Sequence, residues 1–144
     1  MSVKQISIFL ENKPGKMYEM TEVLAKNGIN MRALSLAETE GFGIVRIIVN
    51  DVYVATTVLK DAGYINKLTS VVVVEMPDVP GGLSKILKVF ADSNVNLEYM
   101  YALAAEANSD KAYMVFRVDD HKEAAAALSR AGFRVINQEE IAEL

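Results

Sequence analysis

Residues 11–31 read Glu-Asn-Lys-Pro-Gly-Lys-Met-Tyr-Glu-Met-Thr-Glu-Val-Leu-Ala-Lys-Asn-Gly-Ile-Asn-Met, and residues 77–97 read Pro-Asp-Val-Pro-Gly-Gly-Leu-Ser-Lys-Ile-Leu-Lys-Val-Phe-Ala-Asp-Ser-Asn-Val-Asn-Leu. Each is a Pro-Gly turn, an amphipathic stretch, a helical stop and an asparagine leading into an apolar run. Pro14 with Pro80 and Asn30 with Asn96 stand 66 residues apart. Further along, Val49-Asn50-Asp51 with Val118-Asp119-Asp120 and Ala62-Gly63-Tyr64 with Ala131-Gly132-Phe133 stand 69 apart. The change in spacing places a short insertion near Asn108-Ser109-Asp110, where small polar residues suit a lengthened hairpin turn. One unit is written twice, and function is a question about the pair.

Outward from the first turn, Gln5 to Leu10 puts Ile6, Ile8 and Leu10 on one strand face and Phe9 on the other. A helix follows from Lys16 to Asn27, striped by Met17, Met20, Val23 and Leu24, with Asn27-Gly28 as its left-handed stop. Ile29 to Glu38 reads as a strand, Thr39-Glu40-Gly41 as a turn, and Phe42 to Val49 as a near-continuously apolar interior strand. Asp51 caps a helix through Asp61, and Tyr64 to Leu68 is a short fourth strand. The second half repeats this order: Val71 to Met76, a helix striped by Leu83, Ile86, Leu87 and Phe90, the hairpin of Val95 to Ala105 with Ala112 to Val118, a helix opened by Asp120 and Glu123 in capping-box spacing, and Phe133 to Asn137.

Each half is therefore βαββαβ, the ferredoxin-like arrangement, with antiparallel sheets and both helices on one face. The expected fold class is α+β, with domains at 1–68 and 69–144. The run Val71-Val72-Val73-Val74 is apolar on both sides, and Leu97, Tyr99, Tyr101 and Leu103 alternate with Met100 and Ala102, so the second sheet face is expected to be covered as well.

Apolar residues make up 51% of the 144, charged ones 24%, and the net charge is −4. An acidic chain without a Lys/Arg stripe is a poor partner for nucleic acid. There is no cysteine, which excludes disulfides, thiolate chemistry and Cys-based metal sites. With no apolar leader or 18-residue apolar run, the expectation is a soluble cytoplasmic protein without membrane partners. No cofactor is expected. No nucleophile–base pair, phosphate loop or metal cluster marks an enzyme. His121, the only histidine, sits at a helix start among solvated charge, and Glu139-Glu140 reads as solvated charge near the end.

Two βαββαβ units with Asn/Asp-x-Pro-Gly after the first strand and Gly/Asn-Ile/Val-Asn-Met/Leu before the second resemble a tandem ACT-domain protein over nearly the whole chain. Within that family, Glu11-Asn12-Lys13-Pro14-Gly15 and Gly28-Ile29-Asn30 resemble the serine-sensing domain of phosphoglycerate dehydrogenase, and the absence of a catalytic domain resembles the small stand-alone double-ACT proteins. The resemblance implies an allosteric regulatory module that binds an amino acid at a domain or subunit interface, as a homodimer, with a metabolic enzyme as a possible partner. It places the ligand at Asn12, Lys13, Pro14, Gly15, Lys16 and Asn30, and in the second repeat at Asp78, Gly81 and Asn96, where Asn96 is retained and Asp78 is the weaker carry-over. The chemistry is sound on its own terms: a glycine admits close backbone approach, and a helix start offers unpaired N–H groups to a carboxylate. Charge-assisted bonds contribute about 1.5–3 kcal/mol each, against the roughly 8.2 kcal/mol of micromolar binding.

The repeats differ where it matters. Asp78 stands in place of Asn12 and repels a carboxylate, and Tyr99 and Tyr101 stand in place of Ala33 and Ser35, as packing bulk or as a pocket wall. If one repeat binds and the other packs, the first is the binder. Two alternatives remain open at this level: Asn30 and Asn96 as strand-leading residues that bond nearby backbone, and the whole chain as an interaction module without a ligand.

Overall fold

In the computed structural model, residues 2–104 and 109–144 are described; Ala105 and Asn108, which the sequence places in the second hairpin, lie outside them. Lys4–Thr69 forms one compact unit and Ser70–Leu144, with Ser2 and Val3, the other.

The first unit holds β1 (Val3–Glu11), α1 (Lys16–Lys26), β2 (Met31–Thr39), β3 (Phe42–Val49), α2 (Val52–Asp61) and the start of β4 (Asn66–Pro77). β3 is interior, antiparallel to β1 with Ile6 opposite Ile47 and to β2 with Leu34 opposite Ile47. Phe9 N–H donates to the Ile65 carbonyl at 3.1 Å, which sets the chain entering β4 on the outer side of β1. Ile6, Ile8 and Leu10 join Val45, Ile47 and Val49 under Met20 and Leu24 of α1 and Ala55 and Leu59 of α2, so both helices cover one face. Gln5, Ser7 and Ile48 are buried on the other face, where the Gln5 amide donates to Ser7 Oγ at 3.1 Å.

The second unit repeats the order with the rest of β4, α3 (Gly82–Asp92), β5 (Leu97–Leu103), β6 (Lys111–Val118), α4 (His121–Arg130) and β7 (Val135–Ile136). β4 pairs antiparallel with β6 and β7, and β6 with β5. Phe90 meets Phe116 edge to face at 5.1 Å in its core. Val71, Val73 and Val115 are fully buried on the opposite face. Among the described residues no helix is long and apolar enough to cross a membrane.

Four sequence expectations change. The fourth strand of the first repeat and the first strand of the second are one strand, β4, because Thr69-Ser70 carries no breaker. Leu97 lies on the Met100 side of β5 rather than the Tyr99 side: a register shift between Leu97 and Tyr99 turns it toward the helices, as one between Met31 and Ala33 turns Met31. Asp120 accepts from Glu123 N–H at 3.0 Å but forms only half a capping box. Its own N–H goes to Asp119 Oδ1, while the Glu123 carboxylate takes Arg130 at 3.0 Å. The full box is at Asn137 and Glu140, which open a short helix α5 (Gln138–Ile141), so Glu140 is a capping residue rather than solvated charge.

Candidate functional site

Residues 12–15 turn the chain from β1 into α1, and the geometry requires Gly15, whose φ of 85° is the left-handed region. Asn12 N–H donates to the Gly41 carbonyl at 3.3 Å and Lys13 N–H to the Glu11 carbonyl at 2.9 Å, which ties the turn to the hairpin beside it. No side chain caps α1, so N–H groups of its first turn are open at a positively polarised end. α2 and α4 differ: Asp51 and Asp120 cap them. The Glu11 carboxylate meets Lys13 Nζ at 2.9 Å, and that bond holds Glu11 below its usual range and Lys13 above its own. Lys16 and Glu19 pair more loosely, at 3.7 Å.

A cavity of about 410 Å³ opens beside this turn, walled by the end of β1, Lys16 and Glu19 of α1, Phe42 of β3 and residues 62–65 after α2. Its size falls in the usual range of ligand pockets, about 300–1,000 Å³. The second unit has a cavity of about 320 Å³ at the matching place, walled by residues 75–77, 110–111 and 132–134. There Glu75 is nearly buried and accepts from Lys111 Nζ at 2.7 Å and Arg134 Nη1 at 2.9 Å. Arg134 also pairs with Glu140. The bond from Lys111 leads in holding the Glu75 carboxyl below its ordinary range, with Arg134 adding to it and burial opposing both.

Of the residues singled out from the sequence, Lys16 lines the first cavity, while Asn12, Lys13, Pro14 and Gly15 lie exposed on the turn beside it. Asp78 and Gly81 hold the same exposed places in the second unit, where Asp78 N–H donates to the Asp110 carbonyl at 2.9 Å. Asn30 is not near the turn. It follows the far end of α1, whose 11 residues span about 16 Å at the helical rise. Asn30 N–H donates to Asn50 Oδ1 at 3.2 Å, and Asn96 N–H to Asp119 Oδ1 at 2.9 Å. These bonds run through the backbone, and both asparagines are exposed. The sequence reading missed the structural role of Asn50 and Asp119, although they occupy the same place in both copies of the repeat. It also missed the cavity walls Phe9, Phe42 and Ile65. Among the described residues no group of His, Asp and Glu is arranged to hold a metal ion.

The ACT domain pair family matches residues 1–144. Among solved structures, the protein BT0572 of Bacteroides thetaiotaomicron is 40% identical over 100% of this chain and 98% of its own, with a TM-score of 0.92. The ligand-free regulatory subunit of aspartate kinase from Thermus thermophilus shares the fold at TM-score 0.66 and 18% identity, over 89% of this chain and 91% of its own. The corresponding subunit from Thermus flavus does so at 0.60 and 16%, over 90% and 92%. Among curated proteins none matches. With the family matched along its full length and a 40% identical relative of the same extent, the chain belongs to the ACT domain pair family.

Proposed function

We propose that the chain is a non-catalytic regulatory protein of two ferredoxin-like ACT units that binds a free amino acid and passes its occupancy to a metabolic enzyme. The observation that carries this reading is the first unit's cavity, which opens at the uncapped start of α1 with Lys16 in its wall. A ligand carboxylate there meets a positively polarised helix end and an ammonium group. Its own ammonium group meets Glu19 or Glu11. The loose Lys16–Glu19 pair is thus the complement of a zwitterion.

Asn30 joins this site from a second copy of the chain in a homodimer. Its exposed side chain and its place at the far end of α1 favour a contribution across a subunit interface over one within the unit.

Thermal unfolding with each of the twenty amino acids in excess tests the reading. At one hundred times Kd a ligand adds about 2.7 kcal/mol, a shift of several degrees for units of this size. Asn30→Ala is expected to remove the shift and leave the unliganded Tm unchanged, since the backbone bonds at Asn30 survive the substitution. If no amino acid shifts the Tm, the sensor reading falls and a ligand-free interaction module takes its place.

A further inference from the structure

The two cavities sit at equivalent places, and the repeat spacing pairs their walls residue by residue: Phe9 with Glu75, Phe42 with Lys111, Ile65 with Arg134. In the second unit these three positions are one ion network, Glu75 holding Lys111 at 2.7 Å and Arg134 at 2.9 Å. In the first unit all three are apolar and stand open, 40%, 55% and 73% exposed. The three linked positions differ together between the units, a self-satisfied charge cluster in one and an unpartnered apolar wall in the other. A single apolar residue on a surface asks for no explanation, whereas a group gathered at a concave site does.

The charged end of the cavity differs in the same sense. Lys16 of the first unit corresponds to Gly82 of the second, where a Cβ would lie 2.4 Å from the Pro77 carbonyl oxygen. No side chain fits there, so the second unit has no lysine at the first position of its helix, and Lys85 stands where the first unit has Glu19, so the carboxylate that faces a ligand ammonium group is missing too. Asp78, in place of Asn12, adds a carboxylate to that turn. The second cavity thus lacks the three-residue apolar wall, and its cations, Lys111 and Arg134, are taken up by Glu75.

Resting on the amino-acid reading above, we propose that the first unit selects an amino acid with a large apolar side chain, of the leucine or phenylalanine class, and that the second unit's counterpart is closed to it. The ligand carboxylate lies at the start of α1 with Lys16, its ammonium group faces Glu19, and its side chain covers Phe9, Phe42 and Ile65. The occupant follows from charge complementarity at one end of the cavity and apolar surface at the other. A small polar amino acid leaves that wall wet, and an acidic one sets a second carboxylate against Glu11 and Glu19.

Isothermal titration of the full chain with leucine, phenylalanine, glycine, serine and aspartate tests this. Leucine or phenylalanine is expected to bind at least tenfold more tightly than glycine or serine, with one site per chain. Installing the second unit's residues together, Phe9→Glu with Phe42→Lys and Ile65→Arg, is expected to remove the preference. Because that triple variant risks the fold, Phe42→Ser, at a side chain already 55% exposed, is measured beside it and is expected to weaken leucine by several-fold while leaving glycine unchanged. Serine or glycine binding as tightly as leucine overturns the apolar selection and leaves the sensor reading standing. Two equivalents per chain overturn the closure of the second unit. Binding of none of the five overturns the apolar selection, and the unfolding series with all twenty amino acids then decides the sensor reading.

Discussion

Glu75→Gln tests whether the second unit's cavity is held by charge. The Glu75 side chain is 11% exposed and takes Lys111 at 2.7 Å and Arg134 at 2.9 Å. Breaking a fully buried ion pair by removing one partner costs about 3–5 kcal/mol, and an exposed pair contributes about 0–1 kcal/mol. Here the carboxylate is nearly buried, but the cations are half-exposed, so after the change Lys111 turns to water and Arg134 keeps Glu140. The expected loss is therefore intermediate, about 1–2 kcal/mol at neutral pH. The pH dependence follows from the sign of the shift. Lys111 first, and Arg134 with it, hold the folded Glu75 carboxyl below its ordinary range. In the unfolded chain it protonates near pH 4.3. The stabilisation is complete above that pH and is lost as pH falls through the lower folded value. Glu140, lowered by the Asn137 backbone N–H and then by Arg134, acts in the same direction. Urea unfolding at pH 7 and at steps down to pH 3 should give a lower midpoint for Glu75→Gln at unchanged slope, with the gap to the parent closing as acid is added. An equal gap at pH 7 and pH 3, or none at pH 7, refutes the reasoning.

Gly82→Ala sets helix propensity against a collision. Alanine gains up to about 1 kcal/mol over glycine in a helix, but the new Cβ at 2.4 Å from the Pro77 carbonyl meets backbone, and overpacking costs about 1–3 kcal/mol. The Tm is expected to fall, and a rise shows that the turn gives way. Arg32 carries a buried Nε with no hydrogen-bond partner, where an unsatisfied buried donor costs about 1–3 kcal/mol. Arg32→Met keeps the apolar stem and is expected to raise the urea midpoint by the equivalent of about 1 kcal/mol; a lowered midpoint shows that Arg32 finds an acceptor in the assembled protein.

What the sequence made legible was whatever repeats at a fixed period. Met20 and Leu24 of α1 and Ile86 and Phe90 of α3 are buried, as their helical spacing requires, and Gly28 with Asn94 takes the left-handed conformation that ends each helix. α5 was hidden because four residues are too few to show a period; its one signal was the Asn137…Glu140 spacing of a capping box. The register shifts at Met31/Ala33 and Leu97/Tyr99 were hidden because alternation is read by counting, and one unpaired residue resets the count.

The cavity walls were hidden for a different reason. Phe9 of β1, Phe42 at the start of β3 and Ile65 just before β4 are 33 and 23 residues apart in turn, and nothing in any one segment marks them as neighbours. Yet the duplication contained the signal. A residue that packs the same core in both copies tends to keep its character, as Ile8 and Val74 do at the 66-residue spacing. A set that differs in character as a group, Phe9, Phe42 and Ile65 against Glu75, Lys111 and Arg134, is not required by the shared fold and answers to something local in each unit. In the second unit that local cause is visible as the ion network. In the first unit the apolar set has no such internal cause, and its three side chains stand open at a cavity mouth. Internal packing explains one copy and not the other, and the proposed apolar ligand is the cause offered for that difference.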